Sequence, residues 1–318
     1  MNSRKKANAV FEGGGVKGIG IAGALMIAEK RYDWVYVAGT SAGAIIAALV
    51  AAGYKAEEIR DLVFDIDYKK CMDGTVFYGV PLAGPVLSVL LEMGLFRGDY
   101  LEDWMREKLA AKGVRTFRDL VVKTNYHNDY RYRLRLIASD ITLGQMLVLP
   151  QDIRNYGINP DDLEVARAVR MSISIPFFFE PVRLPYRAHD GSYQSSYLVD
   201  GGILSNFPVW LFDKCYHQGP TFGFKLVEAK EGRPRSIAGP VSLFSALFST
   251  MLEAHDNRYI HESNFARTIT IPTLEVGTTD FGISGEKARA LYESGMQAAA
   301  EFFDQWNYGK FKAQYNKR

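Results

Sequence analysis

The feature that most constrains this sequence is an uncharged stretch, residues 34–54, interrupted by the glycine-framed turn GTSAG at residues 39–43. The stretch is long enough to cross a bilayer as a helix, but the turn would place a flexible, polar break inside it. A buried strand before the turn and an alanine-rich helix over 42–52 account for the same residues, and Gly53 is a typical helix stop. We therefore predict a strand, a sharp turn and a helix rather than a membrane span.

Short apolar runs alternate with helical patterns along the chain, which favours an α/β fold with a mostly parallel central sheet covered by helices. Strands are predicted at 7–11, 222–227 and 268–271, and helices at 16–29, 161–171 and 286–306. Between residues 65 and 124 the pattern is less regular and contains glycine and proline, which indicates an inserted cap or lid. No linker or internal repeat divides the chain, so residues 1–318 are predicted to form one domain.

Charge and composition exclude several functional classes. The formal net charge is +2, too small to indicate a nucleic-acid partner. The two cysteines, Cys71 and Cys215, cannot build a disulfide framework or a cysteine-rich metal site, which favours a reducing compartment. The basic residues 1–6 are followed by an apolar run too short for a secretory signal. We therefore expect a cytoplasmic protein.

The GTSAG turn fits the G-x-S-x-G pattern of a serine nucleophile. This chemistry places Ser41 in a strained turn, with Gly39 and Gly43 allowing neighbouring chain to approach closely. The helix that begins at Ala42 directs its amides and the positive end of its dipole toward a developing oxyanion. The pattern alone arises by chance in many sequences, but an apolar strand before it and an apolar helix after it form the context that the chemistry requires.

A second glycine-rich turn, GGGVKG at residues 13–18, lies between the first predicted strand and helix. The consecutive glycines Gly13, Gly14 and Gly15 can turn their amides toward one point and form an anion-binding nest, with Lys17 adding positive charge. The same residues satisfy G-x-G-x-x-G, and Asp33 lies near the spacing of a ribose ligand in dinucleotide-binding folds. The loop alone does not choose between these interpretations. Ser41 favours the oxyanion hole, because a dinucleotide fold has no use for the second elbow.

Candidate bases for Ser41 are an aspartate and five histidines. Asp200 ends a short strand-like run and precedes Gly201 and Gly202, so we expect it to be exposed on an open turn, where it serves as a base or initiates the turn. Histidine is the usual base for a serine nucleophile, but no histidine stands in a glycine-rich turn after a clear strand. The histidines are His127, His189, His217, His255 and His261.

These motifs, taken in order, resemble the patatin-like phospholipases. The resemblance is carried by residues 13–18, 39–43 and 200–202, with further similarity at 168–177, 206–208 and 279–306. It implies a three-layer α/β/α sandwich and a Ser–Asp dyad without histidine, with Ser41 as nucleophile and Asp200 as base. It also implies an oxyanion hole from the glycine loop and no metal or cofactor.

The expected function is hydrolysis of lipid acyl esters of the phospholipase A or lysophospholipase type, at a membrane or micelle surface. Three apolar segments, 80–96, 173–179 and 237–252, are candidates for the acyl groove. Two alternatives stay open on the sequence: a catalytically silent lipid-binding or scaffold protein, and a dinucleotide-binding oxidoreductase.

Overall fold

A mixed sheet forms the centre of the molecule in the computed structural model, which describes residues 4–67, 70–74, 88–122, 130–187, 191–214, 219–228 and 262–315, with single positions between 237 and 251. The strands in this part are β1 Lys5–Phe11, β2 Tyr32–Thr40, β3 Gly94–Phe96, β4 Leu134–Asp140, β5 Gln145–Leu149, β6 Phe177–Phe179, β7 Val182–Arg187, β8 Tyr193–Asp200, β9 Thr221–Val227 and β10 Thr268–Pro272.

The α-helices of the described residues are α1 Gly18–Ala28, α2 Ala42–Ala52, α3 Ala56–Asp65, α4 Asp99–Ala111, α5 Val165–Ser172, α6 Glu262–Phe265, α7 Gly285–Gln305 and α8 Tyr308–Tyr315. A π-helical turn covers Ser88–Glu92, and 3-10 turns cover Gly15–Lys17, Phe117–Leu120, Gln151–Tyr156, Pro160–Asp162, Gly201–Ile203 and Val209–Phe212.

The strand order of the large sheet is β10-β9-β1-β2-β4-β8-β7, with β5 also paired to β4. The five strands from β10 to β4 are mutually parallel, while β5, β7 and β8 run antiparallel to their neighbours. This arrangement confirms the predicted α/β class with a mostly parallel sheet. The sequence pattern predicts a strand at 131–138, a turn at 140–144 and a return strand at 145–149, and the β4–β5 hairpin confirms this prediction. The antiparallel pairing of β8 with β4 and β7 was not predicted.

The pairing of β4 brings two strand ends together. On one edge of β4, the strand β5 pairs with Leu136–Asp140. The other edge is shared: Thr40 of β2 lies opposite Ile137, and Asp200 of β8 lies opposite Ala138. Since β2 and β8 run in opposite directions, their carboxyl ends meet head to head on this edge, and the chain must turn away after each of them.

Side chains alternate between the two faces of the sheet, as the pleat requires. Phe11 belongs to the larger hydrophobic core, to which most of the described helices contribute buried side chains. Val10 points to the opposite face and belongs to a smaller cluster. That second cluster also contains Tyr36 and Ala38 of β2, and it is closed by Leu211 and Phe212 of a 3-10 turn.

Most predicted elements are present with small shifts. Helix α2 ends at Gly53, whose φ of 95° gives it the left-handed conformation of a helix stop. The uncharged stretch is β2 followed by α2, as predicted, and no helix in the described part of the chain is long and apolar enough to span a bilayer. Helix α5 begins four residues later than the sequence indicated, because Pro160–Asp162 forms a separate 3-10 turn. The proposed lid at 65–124 remains a prediction, and its residues 75–87 lie outside the described ranges.

Candidate active site

Ser41 occupies a sharp elbow between β2 and α2. Its backbone has φ 53° and ψ −126°, a conformation that a non-glycine residue adopts only when its surroundings enforce it. The glycines permit the close packing this needs: a Cβ on Gly39 would come within 2.2 Å of the Gly43 carbonyl oxygen, and one on Gly43 within 2.2 Å of the Phe11 carbonyl oxygen. The Ser41 amide donates to the Ser172 hydroxyl at 3.0 Å. The elbow is therefore held by neighbours as well as by its own sequence.

Asp200 lies at the end of β8, beside the elbow, but it is not on an open turn. Its exposure is 0%, so the expectation of an exposed carboxylate is wrong. The strand end is covered because β2 and β8 meet on β4, and Gly201 then crosses so close to β4 that a Cβ on it would lie 2.2 Å from the Ile137 carbonyl oxygen.

The two carboxylate oxygens of Asp200 have different surroundings. Oδ1 accepts a hydrogen bond from the Gly202 amide at 2.8 Å, whereas Oδ2 has no partner of standard hydrogen-bond geometry among the described residues. Burial raises the pKa of Asp200 to about 7, and hydrogen bonding from the Ser41 hydroxyl and the Gly202 amide lowers it only in part. The Ser41 interaction is thus a loose one, which is common for a nucleophile and its base before the Michaelis complex forms.

The glycine loop passes directly over the elbow. A Cβ on Gly13 would lie 3.0 Å from the Ser41 Cβ. The Gly13 amide itself donates to the Asn206 carbonyl oxygen at 3.1 Å, and the Val16 amide donates to the Thr278 carbonyl oxygen at 3.1 Å. The loop is therefore fixed at both ends, with Gly14 and Gly15 between the two anchors.

Two side chains that the motifs did not single out as ligands support this loop. Glu12 is buried and accepts a hydrogen bond from the Leu226 amide. The Asn206 amide group donates to the Gly13 carbonyl oxygen at 3.2 Å, so Asn206 holds Gly13 through both its backbone and its side chain. No local sequence signal indicates that Glu12 has this role, since a charged residue after a strand is usually solvated.

Lys17 is nearly buried and its ammonium is paired. Nζ lies 3.0 Å from Glu228 Oε1, just beyond the end of β9. The positive charge that the sequence places beside the loop is thus balanced by a carboxylate from another strand.

An apolar cavity of about 70 Å³ opens onto Ser41. It is lined by residues of the glycine loop, of α1 to α4, of the segment after α5, and by Phe281; they include Val16, Ile19, Ile45, Ile46, Val63, Ile66, Cys71, Leu101, Ile173, Ile175 and Phe179. The predicted segment 173–179 contributes three of these side chains. Of the predicted segment 80–96, residues 80–87 lie outside the described residues, and none of residues 88–96 lines this cavity. Most of the predicted segment 237–252 also lies outside the described residues.

Cys71 contributes an unreactive surface to this cavity. Burial, with a smaller contribution from Asp73, raises the pKa of its thiol to about 12. Such a thiol stays protonated at neutral pH and packs as a small apolar group. Cys215 lies outside the described residues.

The five histidines all fall outside the described ranges, so their positions relative to Ser41 are not part of this site description. Asp33, by contrast, has a defined place. It lies near the amino end of β2, opposite Lys6 of β1, and pairs with Arg4 at 3.0 Å. The glycine loop lies at the other end of the sheet, about 23 Å away at roughly 3.3 Å per strand residue. Asp33 therefore cannot bind a ribose whose phosphates occupy the loop.

Comparison with known proteins gives a family match, relatives and a solved structure of similar fold. Residues 9–213 match the family model described as patatin-like phospholipase. YqhO of Bacillus subtilis (strain 168) is 44% identical over 304 residues, which cover 95% of this chain and 99% of YqhO. The probable lipid hydrolase 463L of Invertebrate iridescent virus 6 is 27% identical over 213 residues, which cover 65% of this chain and 63% of that protein. The crystal structure of VipD from Legionella pneumophila shares the fold, with a TM-score of 0.54 and 19% identity over 95% of this chain and 67% of VipD.

Proposed function

Because the chain belongs to the patatin-like phospholipase family, we propose that it is a lipid acyl hydrolase in which Ser41 and Asp200 form the catalytic dyad. The observation that carries the proposal is the meeting of β2 and β8 on one edge of β4. This register brings a strained serine beside a fully buried carboxylate whose pKa of about 7 suits a general base at neutral pH.

The reaction begins with proton transfer between these two side chains. Asp200 Oδ2 takes the proton from the Ser41 hydroxyl while the serine oxygen attacks the ester carbonyl carbon. An ordinary aspartate, with a pKa near 4, would be a weak acceptor for this proton. Burial raises the pKa of Asp200 and so reduces the difference between its pKa and that of the serine hydroxyl. Stabilisation of the oxyanion must lower the remaining part of the reaction barrier.

The oxyanion is held by backbone amides on two sides of the nucleophile. The amide of Ala42 lies at the amino end of α2, where the helix dipole favours negative charge. Gly14 and Gly15 provide the amides of the loop above it. Gly13 was also expected to donate, but its amide already donates to Asn206, so we assign it to holding the loop. Removing one such donor from an oxyanion hole typically costs about a hundredfold in kcat.

Loss of the alcohol leaves an acyl group on Ser41. Asp200, now protonated, gives its proton to the departing alkoxide and then activates a water molecule that releases the fatty acid. The apolar cavity beside Ser41 binds the acyl chain, since its lining offers hydrocarbon contact and little polar surface. An ester suits this dyad better than an amide, because the alkoxide is the better leaving group.

The substrates are phospholipids or lysophospholipids at a membrane or micelle surface. Leu91, Met93 and Phe177 expose apolar side chains, and Phe177 pairs with β3 in the small ribbon whose Phe179 lines the cavity. Exposed apolar groups beside a lipid site support peripheral contact with a lipid surface. Turnover measured above and below the micelle threshold of a short-chain lipid, together with liposome flotation, tests this. Equal rates and no flotation would contradict it.

The direct test of the hydrolase proposal is covalent labelling with a fluorophosphonate and an ester-hydrolysis screen of phospholipids, lysophospholipids and neutral lipids. We expect Ser41 to be labelled and Ser41→Ala to lose hydrolysis while remaining folded, because a single oxygen is removed. A folded Ser41→Ala variant that keeps substantial activity would overturn the nucleophile assignment. A wild-type protein that is neither labelled nor active would favour the silent lipid-binding alternative.

A further inference from the structure

The nucleophile and the base are both attached to one short piece of chain, residues 170–174. The Ser41 amide donates to the hydroxyl of Ser172 at 3.0 Å. The Asp200 amide donates to the carbonyl oxygen of Ser174 at 2.8 Å. The two partners are only two residues apart, at the end of α5, and both are completely buried.

The hydrogen bond from Ser41 is unusual because the acceptor of a backbone amide at the most strained point of the elbow is a side-chain hydroxyl, that of Ser172. With φ at 53° and ψ at −126°, Ser41 cannot keep this conformation without help from its surroundings. The Ser172 hydroxyl supplies an acceptor for the Ser41 amide at this point. It contacts the backbone of Ser41 rather than the reacting oxygen.

Ser174 is itself held in place by Arg170. The Arg170 guanidinium donates to the Ser174 hydroxyl, and that hydroxyl donates back to the Arg170 carbonyl oxygen at 2.6 Å. Arg170 is 3% exposed. Its second terminal nitrogen donates to the carbonyl oxygens of Arg97 and Glu180, which directly follow β3 and β6.

A buried arginine needs hydrogen-bond acceptors for its N–H groups, and the Arg170 guanidinium donates to neutral oxygens of three separate residues, Ser174, Arg97 and Glu180. Arg170 thereby connects the β3–β6 ribbon beside the cavity to the residue that holds the base. Lysine could not reproduce this, because it lacks the planar fork of several donors.

We propose that residues 170–174 form a positioning bracket for the dyad, in which Ser172 sets the nucleophile and Ser174, fixed by Arg170, sets the base. The inference rests on the proposed function, since it assigns these residues to the same reaction. None of the three contacts the reacting atoms, so they are positioning residues. Their effect is on kcat, because a displacement of about 1 Å between reacting groups can reduce the rate about a hundredfold.

The test compares Ser172→Ala with Ser196→Ala in the full-length protein. Ser196 is a fully buried serine of β8 whose hydroxyl forms no hydrogen bond with Ser41 or Asp200, so the matched control removes the same atom from a buried serine that does not hold the dyad. We expect Ser172→Ala to lower kcat about 10- to 100-fold, with KM within about threefold and a parallel fall in the rate of fluorophosphonate labelling. Ser196→Ala should stay within about threefold of wild type in both measurements.

Two further measurements separate a positioning role of these residues from a general loss of protein stability. Circular dichroism and thermal melts should show that Ser172→Ala and Ser196→Ala are both folded at the assay temperature, although only the first loses kcat. Arg170→Lys should also lower kcat without removing the positive charge. A Ser172→Ala variant with wild-type kcat and labelling rate, measured on wild-type protein that is itself labelled at Ser41, would overturn the bracket alone. Wild-type protein that is never labelled would remove the hydrolase proposal and the bracket together.

Discussion

Two completely buried aspartates on the paired strands β4 and β8 have very different surroundings. Asp140 ends β4 and is fully engaged: Oδ1 accepts from the amides of Thr142 and Leu143 at 2.8 and 3.0 Å, and Oδ2 from the Tyr156 hydroxyl at 2.5 Å. Asp200 ends β8 and accepts a standard hydrogen bond on only one oxygen. Equal burial therefore gives one carboxylate that closes a turn and one that is free to accept a proton.

The difference follows from what comes after each strand. After Asp140 the chain forms a tight turn into β5, and the turn amides satisfy the carboxylate. After Asp200 the chain meets the end of β2. One carboxylate oxygen accepts the amide of the following turn, and the other is available to the Ser41 hydroxyl. An under-satisfied buried carboxylate costs stability, and such a cost is commonly found at functional sites.

The largest expected difference between the two aspartates is in the pH dependence of activity. Asp200 acts as a base only when ionised, so kcat/KM should rise with pH through about 7, the pKa that burial gives it. Below that value the rate should fall about tenfold per pH unit, or about a hundredfold at pH 5. The same rising limb should appear in Asp140→Asn. A limb near the ordinary aspartate value of about 4 in wild type would show that Asp200 is not held as described.

The two aspartates should also affect stability in opposite directions. The folded pKa of Asp200 is above its usual value, so the stability it contributes is present at low pH and is lost as pH rises from about 4 to about 7. Asp200→Asn should therefore gain stability relative to wild type by roughly 2–3 kcal/mol between pH 5 and pH 8. Asp140→Asn should lose about 1–3 kcal/mol at pH 8, because an amide NH2 cannot accept the hydrogen bonds that one of the Asp140 oxygens receives. Urea unfolding at both pH values measures this, and equal behaviour of the two variants would break the comparison.

A smaller effect is expected at Lys17, a third nearly buried charge, which like Asp140 has a partner. Lys17→Arg should change kcat about threefold or less, while Lys17→Glu should lower it several-fold more, by placing a carboxylate beside Glu228 and near the forming oxyanion. The double variant Lys17→Glu with Glu228→Lys restores the ion pair with reversed polarity. If this double variant regains the stability of wild type but not its kcat, the sign of the charge at position 17 matters for the reaction. Equal rates for Lys17→Arg and Lys17→Glu would show that Lys17 has no electrostatic role.

Local features of the fold were readable from the sequence because local forces set them. The elbow at Ser41 needs close backbone approach on both sides, which glycine provides, and α2 ends where Gly53 adopts positive φ. The glycine loop was placed correctly between β1 and α1 for the same reason. The apolar side chains of 173–179 were also expected near the acyl site, and three of them line the cavity.

The surroundings of the base could not be read in this way. Burial of Asp200 depends on the register of β8 against β4, which joins residues about 60 positions apart in the chain. No sequence pattern near Asp200 distinguishes an open turn from a strand end covered by another strand. The sequence likewise did not predict that the Ser172 hydroxyl and the Arg170 guanidinium hold the site, because their partners come from distant segments.

The dinucleotide interpretation failed because spacing along the chain does not give distance in the fold. Spacing alone placed Asp33 at a suitable distance along the chain from the glycine loop. In the sheet it lies at the amino end of β2, since the strand begins earlier than the apolar run indicated and extends to Thr40. A motif defined by spacing therefore needs the strand direction and length before it can be assigned.

The central claim, that Asp200 is the base for Ser41, is tested most directly by the kcat of Asp200→Asn measured beside single replacements of the five histidines. The amide keeps the shape of the carboxylate but is not basic, so kcat should fall at least about a hundredfold, nearly as far as in Ser41→Ala. Each histidine variant should stay within roughly tenfold of wild type. A folded protein that loses activity with one histidine, while Asp200→Asn remains nearly as active as wild type, would contradict the dyad and assign the chain to the Ser-His-Asp hydrolases.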